Sequence, residues 1–164
     1  MKFNLPTFLF LLIISGCDNY ISNYEAEMKV CLKGEKLGLL DTAVKACEKA
    51  VKLAETHNFS PELQSQSLYK LGSLKRQQGE FTHAEEILNK IIPLEKTREK
   101  PDKQRIAVVL LELSLSLAGQ NKWNEGSDII NSLIPLINQL PEQEKLIAKN
   151  TLKHYAVHLK NKIN

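Results

Sequence analysis

The chain has 164 residues, of which 25% are charged and 43% are hydrophobic, and its formal net charge is +3. This length suits one domain, and the composition excludes an intrinsically disordered chain. Basic residues alternate with acidic ones along the sequence, so no concentrated basic face indicates a nucleic-acid partner. The scarcity of glycine (seven) and proline (six) favours helices over a β-sandwich.

Residues 1–16 have the pattern of a cleaved export signal. Lys2 supplies a positive start, and residues 8–14 form an apolar run. That run is too short to cross a bilayer, which needs about 20 residues. Small residues follow at Ser15 and Gly16, where a signal peptidase must approach the backbone. We therefore expect this segment to be removed, so that the mature fold begins at the next residue.

Four residues at this boundary resemble the bacterial lipobox: Ile14, Ser15, Gly16 and Cys17. The resemblance implies cleavage before Cys17 and attachment of several acyl chains to it, which anchor a protein firmly where one chain is marginal. Asp18 resembles the signal that keeps lipoproteins of enteric bacteria in the inner membrane. We therefore expect a lipid-anchored, periplasm-facing protein of the cell envelope, in the inner membrane or alternatively the outer one. A secretory signal with a chance cysteine, or an uncleaved anchor helix, is the competing interpretation.

A pattern of about 42 residues recurs along the rest of the chain. Its positions are spaced by three and four residues, which places them on one helical face. Two columns are small, so that facing helices can approach closely, and one column after each turn is bulky. The pattern predicts helix–turn–helix hairpins at about 20–58, 60–98 and 101–139 and a last helix at 141–162. The small columns are Cys31, Gly72, Ser114 and Ala156, then Ala43, Ala84 and Gly126; the bulky column is Leu40, Phe81 and Trp123.

Boundary residues fit these hairpins. Ser60 followed by Pro61 is typical of a helix N-cap with proline at the first helical position. Pro93 and Pro135 lie late in two second helices and should end or bend them. The turns inside the hairpins are marked by Gly38, Gly79 and Asn121.

The second unit resembles the tetratricopeptide signature, and the spacing is similar to the longer form in kinesin light chains. The resemblance covers most of residues 24–160 and implies an all-α, right-handed superhelix of three hairpins with a C-terminal capping helix. The first unit departs from it at Glu27, where an apolar residue is expected, and at Gly34, so a distorted or frayed hairpin is expected there. A nonrepetitive helical bundle is the alternative. The signature residues are Leu68, Leu71, Gly72, Gly79, Phe81 and Ala84.

If Cys17 is lipidated, two cysteines remain, Cys31 and Cys47. They fall on opposite helices of the first hairpin, at comparable distances from its turn. In an oxidising envelope compartment they can form a disulfide that stabilises this hairpin. The alternative is two buried thiols that act as small apolar residues.

No pattern of residues indicates catalysis. The chain lacks a Gly-rich phosphate loop, a CxxC pair and a nucleophile elbow. His154 and His158 stand one helical turn apart, but a metal site needs a third ligand that the sequence does not offer. We therefore expect no enzyme, no metal and no cofactor.

The tetratricopeptide resemblance implies a groove, lined by the first helices of successive hairpins, that binds extended or helical peptides. Helix 106–118 is apolar nearly all round, so it must meet another helix, another subunit or a ligand. We expect Leu111 and Leu115 to anchor an apolar partner segment, unless the final helix covers them. Lys70, Arg76 and Lys153 should favour acidic residues beside it. The predicted groove residues are Tyr69, Lys70, Ser73, Arg76, Gln77, Val108, Leu111, Leu115, Lys153 and Val157.

These features predict a non-enzymatic adaptor or scaffold that holds envelope proteins close to the membrane. Only a few residues separate Cys17 from the first predicted helix, so the tether is short. The alternative is a self-associating structural lipoprotein that uses helix 106–118 as a homodimer interface.

Overall fold

The computed structural model describes residues 14–161, and side chains within it are described from residue 19 to residue 158. This range is helical throughout apart from short turns, which confirms the predicted all-α superhelix. No helix within it combines the length and the apolar character that crossing a bilayer requires. The elements are α1 (Ile14–Lys36), α2 (Leu40–Thr56), α3 (Pro61–Gln77), α4 (Phe81–Asn89), α5 (Ile91–Lys96), α6 (Lys103–Gly119), α7 (Trp123–Leu133), a 3-10 helix (Ile134–Gln139) and α8 (Glu142–Asn161).

The helices stack as successive antiparallel pairs. Helix α1 packs on α2, α3 packs on α4 and α5, and α6 packs on α7 and the 3-10 helix. Neighbouring pairs touch through α2 with α3 and through α4 with α6, while α3 also contacts α6 directly. Helix α8 lies last in the stack, against α7 and α6. The first helices α3 and α6 are therefore neighbours across the stack.

The turns inside the pairs need a left-handed backbone. Gly38 and Gly79 have φ angles of +72° and +81°, and Asn121 has a φ angle of +62°. Glycine adopts this region without a steric penalty, and asparagine tolerates it better than most residues. The structure thus has its sharp turns at the three residues that the sequence marks.

Side-chain caps begin the next helices. The Ser60 hydroxyl accepts a hydrogen bond of 3.4 Å from the Leu63 N–H, with Pro61 at the start of α3. The Asp102 carboxylate accepts one of 3.1 Å from the Arg105 N–H at the start of α6. Each cap satisfies an N–H that has no partner within its helix.

Prolines interrupt two of the second helices, as predicted. The ring of a proline clashes with the carbonyl group four residues earlier. For Pro93 that residue is Asn89, where α4 ends before α5 begins. Pro135 stands at the start of the 3-10 helix, directly after α7 ends at Leu133.

The first small column is buried in all three hairpins. Cys31, Gly72 and Ser114 are inaccessible or nearly so, and a Cβ atom on Gly72 would lie 2.7 Å from Cγ of Leu88. Ala156, in contrast, is exposed, so the predicted column does not extend to α8. The reason is that this column faces the second helix of its own pair, and α8 has no such partner within the described chain.

The expected distortion of the first hairpin is not present. Helix α1 continues through Gly34, where a Cβ atom would lie 3.1 Å from Ala43 of α2. Glu27 is half-buried and accepts a 3.2 Å hydrogen bond from the Lys49 ammonium group. Close approach at Gly34 and an ion pair at Glu27 thus replace the apolar contacts of the signature.

Most of the predicted export signal, residues 1–13, lies outside the described residues. Helix α1 begins at Ile14, so the backbone of Cys17 is already helical. The expectation of a few non-helical residues between Cys17 and the first helix is therefore wrong. Tyr24, which is 2% exposed, packs the first part of α1 into the core. No proline lies between Ile14 and Tyr24, so the helix can continue from Tyr24 back to Ile14.

Candidate binding groove

A cavity of about 630 Å³ opens between α3, α6 and the beginning of α8, with the end of α1 at one side. The side chains that line it are partly apolar and partly charged, and five of them come from α3. The lining residues are Glu35, Tyr69, Lys70, Ser73, Arg76, Gln77, Val108, Leu111, Glu112, Leu115, Gln143, Glu144 and Ile147.

The structure brings together eight of the ten predicted groove residues, five from α3 and three from α6. Lys153 and Val157 do not line the cavity and are exposed elsewhere on α8. Helix α8 instead contributes residues from its first two turns, which the sequence analysis missed. The 42-residue register failed there because it assumed that α8 lies as α3 and α6 do. The contributions from α8 are Gln143, Glu144 and Ile147.

The apolar part of the groove differs from the predicted anchors. Leu111 is only 2% exposed and belongs to the core formed by α6, α7 and α8, so it offers almost no surface to a ligand. Leu115 and Val108 are half-buried, and Ile147 is 45% exposed. The accessible apolar surface is therefore formed by Val108, Leu115 and Ile147.

The chain's own C-terminal elements cover the apolar strip of α6. No residue between 106 and 118 is exposed. The Tyr155 hydroxyl of α8 donates a hydrogen bond of 2.5 Å to the carbonyl group of Ser114. Leu140 and Ala148 join Leu111 in the same core cluster. The strip thus meets another helix of the same chain, and only half-buried residues of the strip, Val108 and Leu115 among them, remain accessible.

The two basic side chains of the groove are already paired. The Lys70 ammonium group lies 2.8 Å from a carboxylate oxygen of Glu35, which also accepts a 3.4 Å hydrogen bond from Gln77. The Arg76 guanidinium group binds the Glu112 carboxylate through Nε at 2.5 Å and Nη2 at 3.3 Å. A two-point pair of this kind is strong and geometrically fixed. The carboxylates of Glu35 and Glu112 therefore offset the predicted attraction of acidic partner residues to Lys70 and Arg76.

The groove has an excess of negative charge around Tyr69. Burial raises the pKa of the Tyr69 phenol well above its usual value, and the carboxylates of Glu112, Glu144 and Glu35 raise it further, whereas Arg76 lowers it. Carboxylates disfavour a phenolate nearby because like charges repel. The Tyr69 hydroxyl therefore keeps its proton and remains a hydrogen-bond donor at the edge of the groove.

Cys31 and Cys47 are bonded as a disulfide between α1 and α2, with a Cα–Cα distance of 5.3 Å. Both residues are fully buried. Glu35 stands one helical turn after Cys31, so the bridge fixes the part of α1 that borders the groove. The sequence was compatible with either a disulfide or two separate thiols, and the structure contains the disulfide.

A buried carboxylate that the sequence analysis missed holds α5 against α6. Glu95 is fully buried and receives the Arg98 guanidinium group at 2.8 Å and the Asp102 N–H at 3.1 Å. The Arg105 guanidinium group lies 3.5 Å away. The available signal was that Glu95 falls four residues after buried Ile91, on the same helical face. This cluster sets where α6 begins, and thereby where its groove residues lie beside α3.

The two histidines of α8 pack on an aromatic ring. The His158 ring stacks on Trp123 with 3.9 Å between centroids, and the His154 ring lies 5.9 Å from it. Among the residues that the structure describes, no group of three or more His, Cys, Asp or Glu side chains is placed to hold a metal ion. The pair therefore contributes to the packing of α8 on α7.

Comparisons with known proteins agree with this geometry. A family model described as tetratricopeptide repeat matches residues 27–57 and 65–97. The first match includes the hairpin that departs from the signature. The fold is similar to the crystal structure of a TPR-like protein from Chlorobium tepidum TLS, with a TM-score of 0.68 and 13% identity over 84% of this chain and 97% of that one. No curated protein matches the sequence. Two segments of the chain therefore match the tetratricopeptide repeat model, and the chain has a tetratricopeptide-like helical fold.

Proposed function

We propose that this protein is a lipid-anchored scaffold of the bacterial cell envelope that holds a segment of a partner protein in its groove. The observation that carries the proposal is the open cavity between α3, α6 and α8, which combines accessible apolar side chains with fixed charges. Binding sites for protein segments commonly combine apolar anchors with a few oriented polar groups. Tetratricopeptide repeats act in general as protein-interaction modules, and their fold is generally non-catalytic.

Anchoring at Cys17 would bring the groove close to the membrane. Tyr24 lies seven positions after Cys17, and the helical rise of about 1.5 Å per residue makes this distance roughly 10 Å. A lipid on Cys17 would therefore leave almost no flexible tether, and the partner must itself be in the membrane or next to it. The buried disulfide supports this location, because such bonds persist in oxidising compartments.

The groove is tested by photo-crosslinking in living cells, with the reactive side chain placed at Ile147. Leu146 is the matched control: it is adjacent on α8, apolar and 62% exposed, but does not line the cavity. We expect a distinct adduct with another protein at Ile147 and little at Leu146. Equal adducts at both positions, or none at Ile147, would contradict a groove function, and an adduct with a second copy of the chain would favour self-association.

The anchor is tested separately by metabolic labelling with radioactive palmitate. We expect labelling of the full-length protein and its loss in Cys17→Ala, which should also move the protein into the soluble fraction. Asp18→Asn should keep the label. A label that survives Cys17→Ala would disprove lipid attachment at Cys17 and would leave the proposed groove function standing.

A further inference from the structure

The charges that line the groove do not balance. Glu35 and Glu112 are each neutralised by a cation, Lys70 and Arg76 respectively. Glu144, in contrast, makes no ion pair within the part of the chain that the structure describes. It stands in the first turn of α8, where the helix dipole stabilises a carboxylate by only about 0.3–1 kcal/mol.

A second cavity, of about 380 Å³, continues the groove past Glu144. Tyr69, Lys70 and Val108 line both cavities together with Glu144, so Glu144 stands where the two meet. The one further cation in this second cavity is Arg105, which is turned toward buried Glu95 at 3.5 Å. The cations of the combined groove are thus all committed to carboxylates of the same chain.

We propose that the groove selects a partner segment that presents a lysine or arginine side chain beside an aliphatic one. The partner's cation pairs with Glu144, and its aliphatic side chain packs against Leu115 and Ile147. This inference rests on the proposed groove function and reverses the preference for acidic partners that the sequence alone predicts.

A charged partner residue changes the ion pairs of the groove when it binds. An acidic partner residue would have to break the pair of Lys70 with Glu35 or that of Arg76 with Glu112, which leaves a carboxylate without its cation. A basic residue breaks no pair and supplies Glu144 with a cation that it lacks within the described chain. Because Glu144 is half-buried, part of its desolvation cost is already met before the partner arrives.

The test uses the full-length lipidated protein in living cells, with the photo-reactive side chain at Ile147. The crosslinked partner segment is identified by proteolysis and mass spectrometry, and the adduct yield is compared between variants. We expect a lysine or arginine in that segment and a yield reduced about fivefold to tenfold by Glu144→Gln. Glu142→Gln is the control, because Glu142 is on the same turn, exposed and paired with Lys145 outside the groove.

Charge reversal makes the test decisive. Glu144→Lys should abolish the adduct, and replacing the partner's basic residue by glutamate should restore it. An adduct whose yield is unchanged by Glu144→Gln, or falls equally with Glu142→Gln, would overturn the charge preference and leave the groove function standing. An acidic segment without lysine or arginine would do the same. No adduct at Ile147 in the unaltered background would overturn the groove function itself.

Discussion

The two hydrophobic cores of this protein differ in their covalent bonding. The N-terminal core joins α1 to α5, and the disulfide between Cys31 and Cys47 crosses it. The C-terminal core joins α6, α7, the 3-10 helix and α8, and no covalent bond crosses the described part of it. Large apolar side chains are exposed beside both cores, among them Leu37 at 60% and Leu146 at 62%.

Helix α6 belongs to both cores. Val109 and Leu113 pack into the N-terminal one, whereas Ala107 and Leu111 pack into the C-terminal one. The groove opens along the same helix, between the two sets. The candidate site therefore lies where a core crossed by a disulfide meets one whose described part has no such bond, so its shape depends on how the two are joined.

The largest effect is expected at the buried carboxylate that joins them. Glu95→Ala removes the acceptor of the Arg98 guanidinium group and of the Asp102 N–H, and the ion-pair partner of Arg105, so it should lower the free energy of unfolding by about 3–5 kcal/mol. Urea unfolding followed by circular dichroism measures this change. Glu99 is exposed in the segment between α5 and α6, and Glu99→Ala should change the free energy of unfolding by less than about 0.5 kcal/mol. A loss below about 1 kcal/mol for Glu95→Ala would show that the cores are joined by other contacts.

The next effect concerns the closure of the N-terminal core. The disulfide spans 16 residues of sequence, and its removal in the double variant Cys31→Ala, Cys47→Ala should cost about 3 kcal/mol. Reduction of the unaltered protein should lower its stability, whereas the double variant should not respond to reductant. Equal stability of the two proteins under oxidising conditions would contradict a structural role for the bond.

The smallest of the three effects concerns the attachment of α8 to the C-terminal core. A Cβ atom on Gly126 of α7 would collide with the Tyr155 hydroxyl, so Gly126→Ala should cost about 1–3 kcal/mol. Tyr155→Phe removes the hydroxyl and its hydrogen bond to Ser114, and should cost about 1 kcal/mol. Because the two changes share one contact, the double variant should be more stable than the sum of the single losses implies. Strict additivity of unfolding free energies would show that α8 does not pack on Gly126.

The hairpins were predictable because the first small column is set by contact between two helices of the same pair. Gly72 against Leu88 is such a contact, and it recurs wherever a second helix exists. The same rule failed at Ala156, since α8 has no second helix within the described range. The predicted places of Lys153 and Val157 in the groove failed with it.

The charge of the groove was not predictable from the same pattern. Helical phase put Lys70 and Arg76 on the face that lines the cavity, but their partners Glu35 and Glu112 lie on neighbouring first helices. Which carboxylate meets which cation depends on the rotation between successive hairpins, and no local spacing records that rotation. Glu95 was missed for a related reason, because an acidic residue among lysines and arginines is typical of a solvated surface.

The central claim is that helices from both cores contribute side chains to one binding site. Crosslinking from each side of the groove tests it. Gln77 of α3 and Ile147 of α8 both line the cavity and are exposed. Photo-reactive side chains at these two positions, introduced one at a time, should give adducts with the same partner and map to neighbouring residues of one segment. Adducts with different proteins, or an adduct from only one of the two positions, would contradict a single groove formed by α3, α6 and α8.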